Sequence, residues 1–309
     1  MKTEQDHELM HEPGPELSWQ ESVFLTWWDE DSGVGGVHRL AHEPNRGTGN
    51  AWCGILSRDG SGFRRDLAEV AVSPDRRGLT VADYRYEWDD GLRLRAEDGD
   101  LLLDLAAHDL YPATSLWDRS RLESVGEATI SNHTEASGRI EGTVVLGGQR
   151  VGVAGWCHRD HSWGPRDWGH VLSHRWFAGT CGEDLSFSAI IMQGLDYNYL
   201  VGGAVVRHGV VKSTTDVDIA VVMEADGISH RGGTARMRFD DGEELVLEAE
   251  PIAGVVFDEN VHVEVDTLCH VTASSGQRGF CDFEVSNGLR RAPIHRALRA
   301  VTADGLVTA

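Results

Sequence analysis

Between Trp156 and Trp176 the chain reads WCHRDHSWGPRDWGHVLSHRW, which gathers four histidines, two aspartates, three arginines and four tryptophans in 21 residues. Proton carriers, fixed cations and flat aromatic walls together are the raw material of a small-molecule site. Asp160-His161 is the first candidate pair. An aspartate set among tryptophan faces loses hydration, which favours a neutral, proton-donating form, and a neighbouring histidine can take or return that proton. Consecutive residues on a strand point to opposite faces, so this pair shares a site only if the backbone turns. Ser162 and Gly164-Pro165 supply residues for such a turn. The competing role for Asp160 is an ion pair with Arg159 or Arg166 that pins a loop. Arg166-Asp167 brings a second carboxylate with its own arginine, an arrangement that more often holds structure than reacts.

Trp163, Trp168 and Trp176 can wall a cavity for an apolar ligand or steady a developing cation against their faces, although core packing explains one or two of them. The histidines raise a metal question. His170 and His174 are four apart, which places them on one face of a helix or of a strand. A 2-His-1-carboxylate set can be drawn within the stretch, but no HExxH motif is present and the expectation is no metal and no cofactor.

The elements around this centre read as strands. Val23–Trp28, Gly36–His42 and Asn50–Ser57 open the chain. In Asp83–Trp88, Tyr84, Tyr86 and Trp88 alternate with Arg85 and Glu87, placing three aromatics on one face. Asp90-Gly91 and Asp98-Gly99 are hairpin turns eight residues apart. Ser120–Asn132, Ser137–Leu146 and Arg150–Gly155 lead into the central stretch. Leu185–Met192, Tyr197–Val206, Val210–Ser213, Val217–Met223, Thr234–Phe239, Glu244–Ala249, Val261–Thr272 and Gly279–Ser286 follow it, and Pro293–Ala300 reads as a short closing helix. Trp28, His38, Tyr86, Trp88 and Tyr199 are candidates to line a barrel and touch substrate, with His174 and the central tryptophans. Trp27, Tyr84 and Tyr197 belong to the same aromatic group. Asp282 and Glu284 alternate with Phe283 and either point inward as a second acid or face water.

Thirty-six glycines in 309 residues, about 12% against a usual ~7%, mark many tight turns. Short strands and Asp-Gly turns without a sustained 3.6 period describe a meandering antiparallel sheet that closes on itself to remove its edges. The expected fold is therefore all-β, with two antiparallel β-barrel domains, residues 1–155 and 156–309, and the central stretch at their junction.

Lys+Arg 28 against Asp+Glu 50 gives a net charge of -22, which repels phosphate backbones and anionic lipid. No run of about 20 apolar residues spans a bilayer. The polar N-terminus lacks a signal-peptide pattern, and five scattered cysteines without a CxxC pair suit a reducing compartment, so a cytoplasmic location is expected. No GxSxG, GxxxxGK[ST] or GxGxxG motif supports serine-hydrolase, nucleotide or dinucleotide chemistry.

The string Arg159-Asp160-His161-Ser162-Trp163-Gly164-Pro165-Arg166 resembles the "RD-S-WG-R" segment of the AttH-like and carotenoid-hydratase (hydroxyneurosporene synthase) superfamily. The resemblance implies two lipocalin-like barrels in one chain and cofactor-independent hydration, cyclisation or rearrangement of hydrophobic polyene, terpenoid or polyketide-like compounds. It implies Asp160 as the acid, His161 as its partner, and Trp163 and Trp168 as walls of the pocket, with Arg166 and Asp167 in the same motif. The expected activity is that of a lyase or isomerase acting on a small hydrophobic unsaturated substrate, with no nucleic-acid partner, no membrane span and a homodimer as the candidate assembly. The alternatives are a lipocalin-like carrier of an apolar ligand, in which Asp160 and His161 are ion-paired away from the cavity, and a metal-dependent enzyme built on His158–His174.

Overall fold

Alternation sets the strands. In β6 (Tyr84–Asp89), Tyr84 and Tyr86 are buried, while Glu87 on the other face meets Arg85 and Arg95 at 2.9 and 2.7 Å. That is the period-2 pattern of a half-buried strand. The computed structural model describes residues 9–72, 77–89, 91–115, 132–196, 198–259, 262–288 and 301–302. Among them there is no α-helix, and a short 3-10 turn at Trp168–His170 interrupts the strands. No helix among the described residues is long and apolar enough to cross a membrane. The fold is all-β, as expected, with two curled antiparallel sheets.

The first unit is a ten-stranded sheet. Its strands are β1 (Trp19–Asp29), β2 (Val34–Glu43), β3 (Thr48–Ser57), β4 (Gly62–Ala71), β5 (Gly78–Val81), β6, β7 (Gly91–Asp98), β8 (Leu101–Asp109), β9 (Asn132–Leu146) and β10 (Gln149–Pro165), in the order β4-β3-β2-β1-β10-β9-β8-β7-β6-β5. The sheet curls until its far strands meet. His42 Nε2 in β2 lies 2.9 Å from Thr80 O in β5, and the Tyr86 hydroxyl of β6 donates to His38 O in β2 at 3.2 Å. The interior is apolar and aromatic, with Leu25, Trp27, Leu40, Tyr84, Tyr86, Leu94 and Leu105 all buried. Burial of such side chains contributes roughly 1.5–3 kcal/mol each.

The second unit has the same plan. It comprises β11 (Val171–Thr180), β12 (Ser186–Gly194), β13 (Tyr199–Arg207), β14 (Val210–Ser213), β15 (Asp216–Met223), β16 (His230–Arg238), β17 (Glu244–Glu259), β18 (His262–Ala273), β19 (Arg278–Asn287) and β20 (Val301–Thr302), in the order β14-β13-β12-β11-β19-β18-β17-β16-β15-β20. Only β20 runs parallel to its neighbour. Phe177, Phe187, Phe283, Met237 and Leu247 fill its core.

In the central stretch the first unit runs on to Arg166 and the second resumes at Asp167. The reason is pairing: β10 stays in register with β1 and β9 through the whole central stretch, from Trp28↔Trp156 to Trp19↔Pro165. Four strands, β4, β5, β11 and the two-residue β20, were not expected. The helix expected at 293–300, Tyr197 and most of the strand expected at 120–132 lie outside the described residues.

Candidate functional site

β10 carries the central motif on two faces. Cys157, Arg159, His161 and Trp163 share the inward face with Val23, Leu25 and Trp27 of β1, while Trp156, His158, Asp160 and Ser162 share the other. No turn intervenes, because the strand stays paired to Pro165 opposite Trp19. The condition for Asp160 and His161 to share a site is therefore not met, and each finds different partners.

Inside the sheet, the carboxylate beside His161 is Glu21 of β1. Glu21 Oε1 accepts from His161 Nε2 at 2.9 Å and from His11 Nδ1 at 2.7 Å, and the His11 backbone N–H donates to both Glu21 oxygens at 3.0 Å. The His11 ring stacks on Trp163 with centroids 3.9 Å apart, and His161 lies 5.1 Å from both Trp88 and Trp163. Burial alone would raise the Glu21 pKa, but the hydrogen bonds from His11 and His161 outweigh it and hold the group below its ordinary value.

Deeper on the same face, Trp27 Nε1–H donates to His38 Nε2 at 3.0 Å. His38 is wholly buried, and desolvation pushes its pKa down to about 3. Gly36 makes room for this pair, since a Cβ there would stand 2.5 Å from His38 Nε2. Arg159 is held by Asp109, through Nε–Oδ1 at 2.9 Å and a second short contact from NH2 to Oδ2. Asp109, and not Asp160, is thus the partner of Arg159.

On the other face the register of β9 against β10 builds a chain of proton-carrying groups. The cross-strand pairs are Asp160↔Glu135, Ser162↔His133 and His158↔Ser137. Glu135 is the hub. Its Oε1 lies 2.8 Å from His133 Nε2 and its Oε2 lies 2.9 Å from His158 Nε2. His133 Nδ1 continues to Ser162 Oγ at 2.7 Å, and His158 Nδ1 to Ser137 Oγ at 2.9 Å. Ser162 Oγ then donates to Asp160 Oδ1 at 3.4 Å, a long bond by ordinary standards. Burial would raise the Glu135 pKa, but the hydrogen bonds and charges of His133 and His158 bring it to about 2, so the carboxylate is ionised.

All the chain's members are buried except Asp160, which is half-buried at its end. Phe24 is the β1 residue in register with Asp160. Arg166 interacts with Asp160 through its charge. Desolvation and the nearby Arg39 depress the Arg166 pKa to about 9, against the favourable effect of Asp160.

The other expected residues are dispersed. Asp167 is exposed ahead of the turn that holds Trp168 and His170. His170 lies 3.4 Å from Asp196. His174 of β11 makes a short contact with Glu284, and desolvation lowers its pKa to about 4. His170 and His174 are thus not two positions of one strand, and His158 and His161 occupy opposite faces of another, so the spacing of the four histidines does not define a common metal set. Trp168 lies 6.2 Å from His174, and Trp176 donates to Ser188 Oγ at 3.0 Å. Tyr199 accepts from Gln193 at 2.9 Å. Trp28 points away from His38 and donates to Glu30 at 2.8 Å, so the barrel-lining tryptophan of β1 is Trp27. Asp282 and Glu284 are buried, not facing water.

His11, Glu21, His133 and Glu135 were not legible as site residues, although the last three are polar interruptions at buried strand positions; His11 lies in the segment before β1. A groove of about 560 Å³ on the first unit is lined by Arg85, Arg95, Glu97 and Asp104 among others and contains no motif residue.

The fold resembles several solved structures. A protein assigned as AttH from Nitrosomonas europaea superposes with a TM-score of 0.67 at 12% identity, over 88% of this chain and 94% of the other. CghA, crystallised with Sch210972, gives 0.65 at 12% identity over 88% of each chain. Kievitone hydratase from Nectria haematococca gives 0.62 at 9% identity, over 87% of this chain and 88% of the other. These similarities establish the shared two-sheet fold that the motif suggested. No curated protein sequence matches the chain significantly. The model of the family described as "Domain of unknown function (DUF7064)" matches residues 4–288, and the chain belongs to that family.

Proposed function

We propose that this protein is an acid–base enzyme of the hydratase, dehydratase, cyclase or isomerase type, acting without a redox cofactor on a small hydrophobic unsaturated substrate of terpenoid, steroid or polyketide-like character. The observation that carries the reading is the run Ser137–His158–Glu135–His133–Ser162–Asp160, whose members are linked by successive hydrogen bonds and whose last member is the least buried. Asp160 is the acid. It gives its proton to an alkene carbon or to a departing hydroxyl, and the Ser162 hydroxyl then passes it a proton taken from protonated His133. Ionised Glu135 accepts from His133 Nε2–H and holds the ring in place. In hydration, water adds to the resulting cation and its surplus proton returns along the same path.

This differs from the pairing that the motif implies, since His161 faces Glu21 on the other side of the strand. The shared fold with a kievitone hydratase supports hydration as one member of the reaction class. Acid–base assistance of this kind contributes roughly 10²–10⁴-fold, and substrate positioning supplies the remainder. The test is to incubate the purified protein with unsaturated and hydroxylated terpenoid, steroid and aromatic compounds and to follow each by mass spectrometry. A product displaced by one water, or an isomer of equal mass, supports the enzyme. Saturable binding across the panel with no product identifies a carrier instead.

A further inference from the structure

The geometry points to a divalent transition-metal site inside the first sheet, formed by His11 Nδ1, the Glu21 carboxylate and His161 Nε2. The site is independent of the proposed activity, because its ligands face the opposite side of β10 from Asp160. The donor atoms of the three residues lie within 4.8 Å of one another. Glu21 and His161 are buried in β1 and β10 two residues out of register, on one face, with Glu21 opposite Trp163. His11 reaches them from the segment before β1.

That segment is anchored near the sheet. Met10 packs against the core, and Asn45 Nδ2 donates to the backbone oxygens of Gly14 and Glu16, each at 2.7 Å. The His11 ring is fixed on Trp163. Its position therefore does not depend on a floppy tail finding two buried partners.

Two imidazole nitrogens and one carboxylate are the donor set that suits zinc, cobalt, iron or copper better than calcium or magnesium, which prefer oxygen ligands throughout. Metal–ligand distances of roughly 2.0–2.2 Å put donor atoms about 3 Å apart or slightly more around an ion. The nitrogen-to-oxygen separations of 2.7 and 2.9 Å come to those values by an opening of a few tenths of an ångström. Three protein donors leave a position for water, in a setting walled by Trp88 and Trp163. Ion binding would clip residues 9–18 to the interior of the first sheet.

The test uses the full chain, stripped with a chelator and titrated with Co²⁺ in the presence of excess Mg²⁺. The expected result is one Co²⁺ per chain, read by visible d–d absorption and by a tryptophan fluorescence decrease that saturates at the same ratio, with Zn²⁺ displacing it. His11→Gln changes a residue outside the strands, so it leaves folding readable by circular dichroism. It should raise the dissociation constant by more than about 10-fold, and Glu21→Gln should do the same. No saturable Co²⁺ uptake by the folded chain, or uptake undiminished in His11→Gln, would overturn the assignment.

Discussion

His133 Nδ1 stands 2.7 Å from Ser162 Oγ, while the other nitrogen of the same ring stands 2.8 Å from Glu135. One imidazole thus joins a buried ionised carboxylate to a hydroxyl that in turn reaches Asp160. With one proton on the ring, Nε2–H donates to Glu135 and Nδ1 accepts from Ser162. With two, Nδ1–H donates to Ser162 and frees that hydroxyl to donate to Asp160. The two states differ by the proton that the proposed reaction moves.

The relay predicts graded effects. Ser162→Ala removes the link but keeps the acid, so turnover should fall by roughly 10-fold and the acidic limb of the pH–rate profile should change shape. His133→Gln should match it. Because the two lie in one network, the double variant should lose little more than either single one. Steady-state rates across pH, with circular dichroism to verify folding, decide this. Additive losses would place the two residues in separate roles.

Glu135 should make stability depend on acid. Its pKa is lowered from 4.5 to about 2 in the fold, so its contribution is present above pH 4.5 and is lost as pH falls towards 2. The lowering corresponds to about 3 kcal/mol. Glu135→Gln should therefore lower the urea midpoint clearly at pH 7, and the gap from the parent should narrow below pH 4.5. A gap that stays constant to pH 3 would contradict the ionised hub.

His38 acts with the opposite charge and the same direction in pH. It remains neutral in the fold down to about pH 3, whereas the unfolded residue takes up a proton near 6.5. Below 6.5 the unfolded state binds the extra proton, so stability falls as pH drops from 6.5 to 3, by up to ~1.4 kcal/mol per unit. His38→Gln, whose side-chain oxygen can still accept from Trp27, should cost about 1 kcal/mol at pH 7 and flatten that slope. Urea unfolding at pH 7, 6 and 5 measures both effects.

All five cysteines are free and buried, and desolvation raises the thiol of Cys181 to about 12 and those of Cys53 and Cys157 higher still. A thiolate is the reactive form. A chromogenic disulfide reagent should therefore titrate no thiol promptly in the native protein and five in denaturant. Rapid reaction of even one would show that its strand opens readily.

The fold was largely legible because β6, β7 and β8 obey strict alternation and are joined at glycines with positive φ, Gly91 at 93° and Gly99 at 60°. β4 was hidden by a bulge. Ala51 pairs with Leu67 but Gly49 pairs with Val70, and Glu69 takes φ 54°, so the apolar positions Phe63, Leu67 and Val70 fall out of period. β11 was hidden because both faces are buried, His174 and Arg175 included, leaving no polar side to reveal the repeat. At the site, the motif identified the right strand, but its partners come from β1, β9 and the segment before β1. A single sequence carries no signal of which strands flank β10. Continuity of β10 through Gly164-Pro165 was the decisive local fact, since it sends Asp160 and His161 to opposite faces.

The central claim is that Asp160 delivers the proton. For the best-turned-over compound, the measurement is deuterium at the newly protonated carbon after a single turnover in deuterated water, in the parent protein and in Asp160→Asn. The account predicts one deuterium in the parent product and a rate at least about 100-fold lower in the variant, with the fold and substrate binding retained. Deuterium transfer by Asp160→Asn at the parent rate would contradict it.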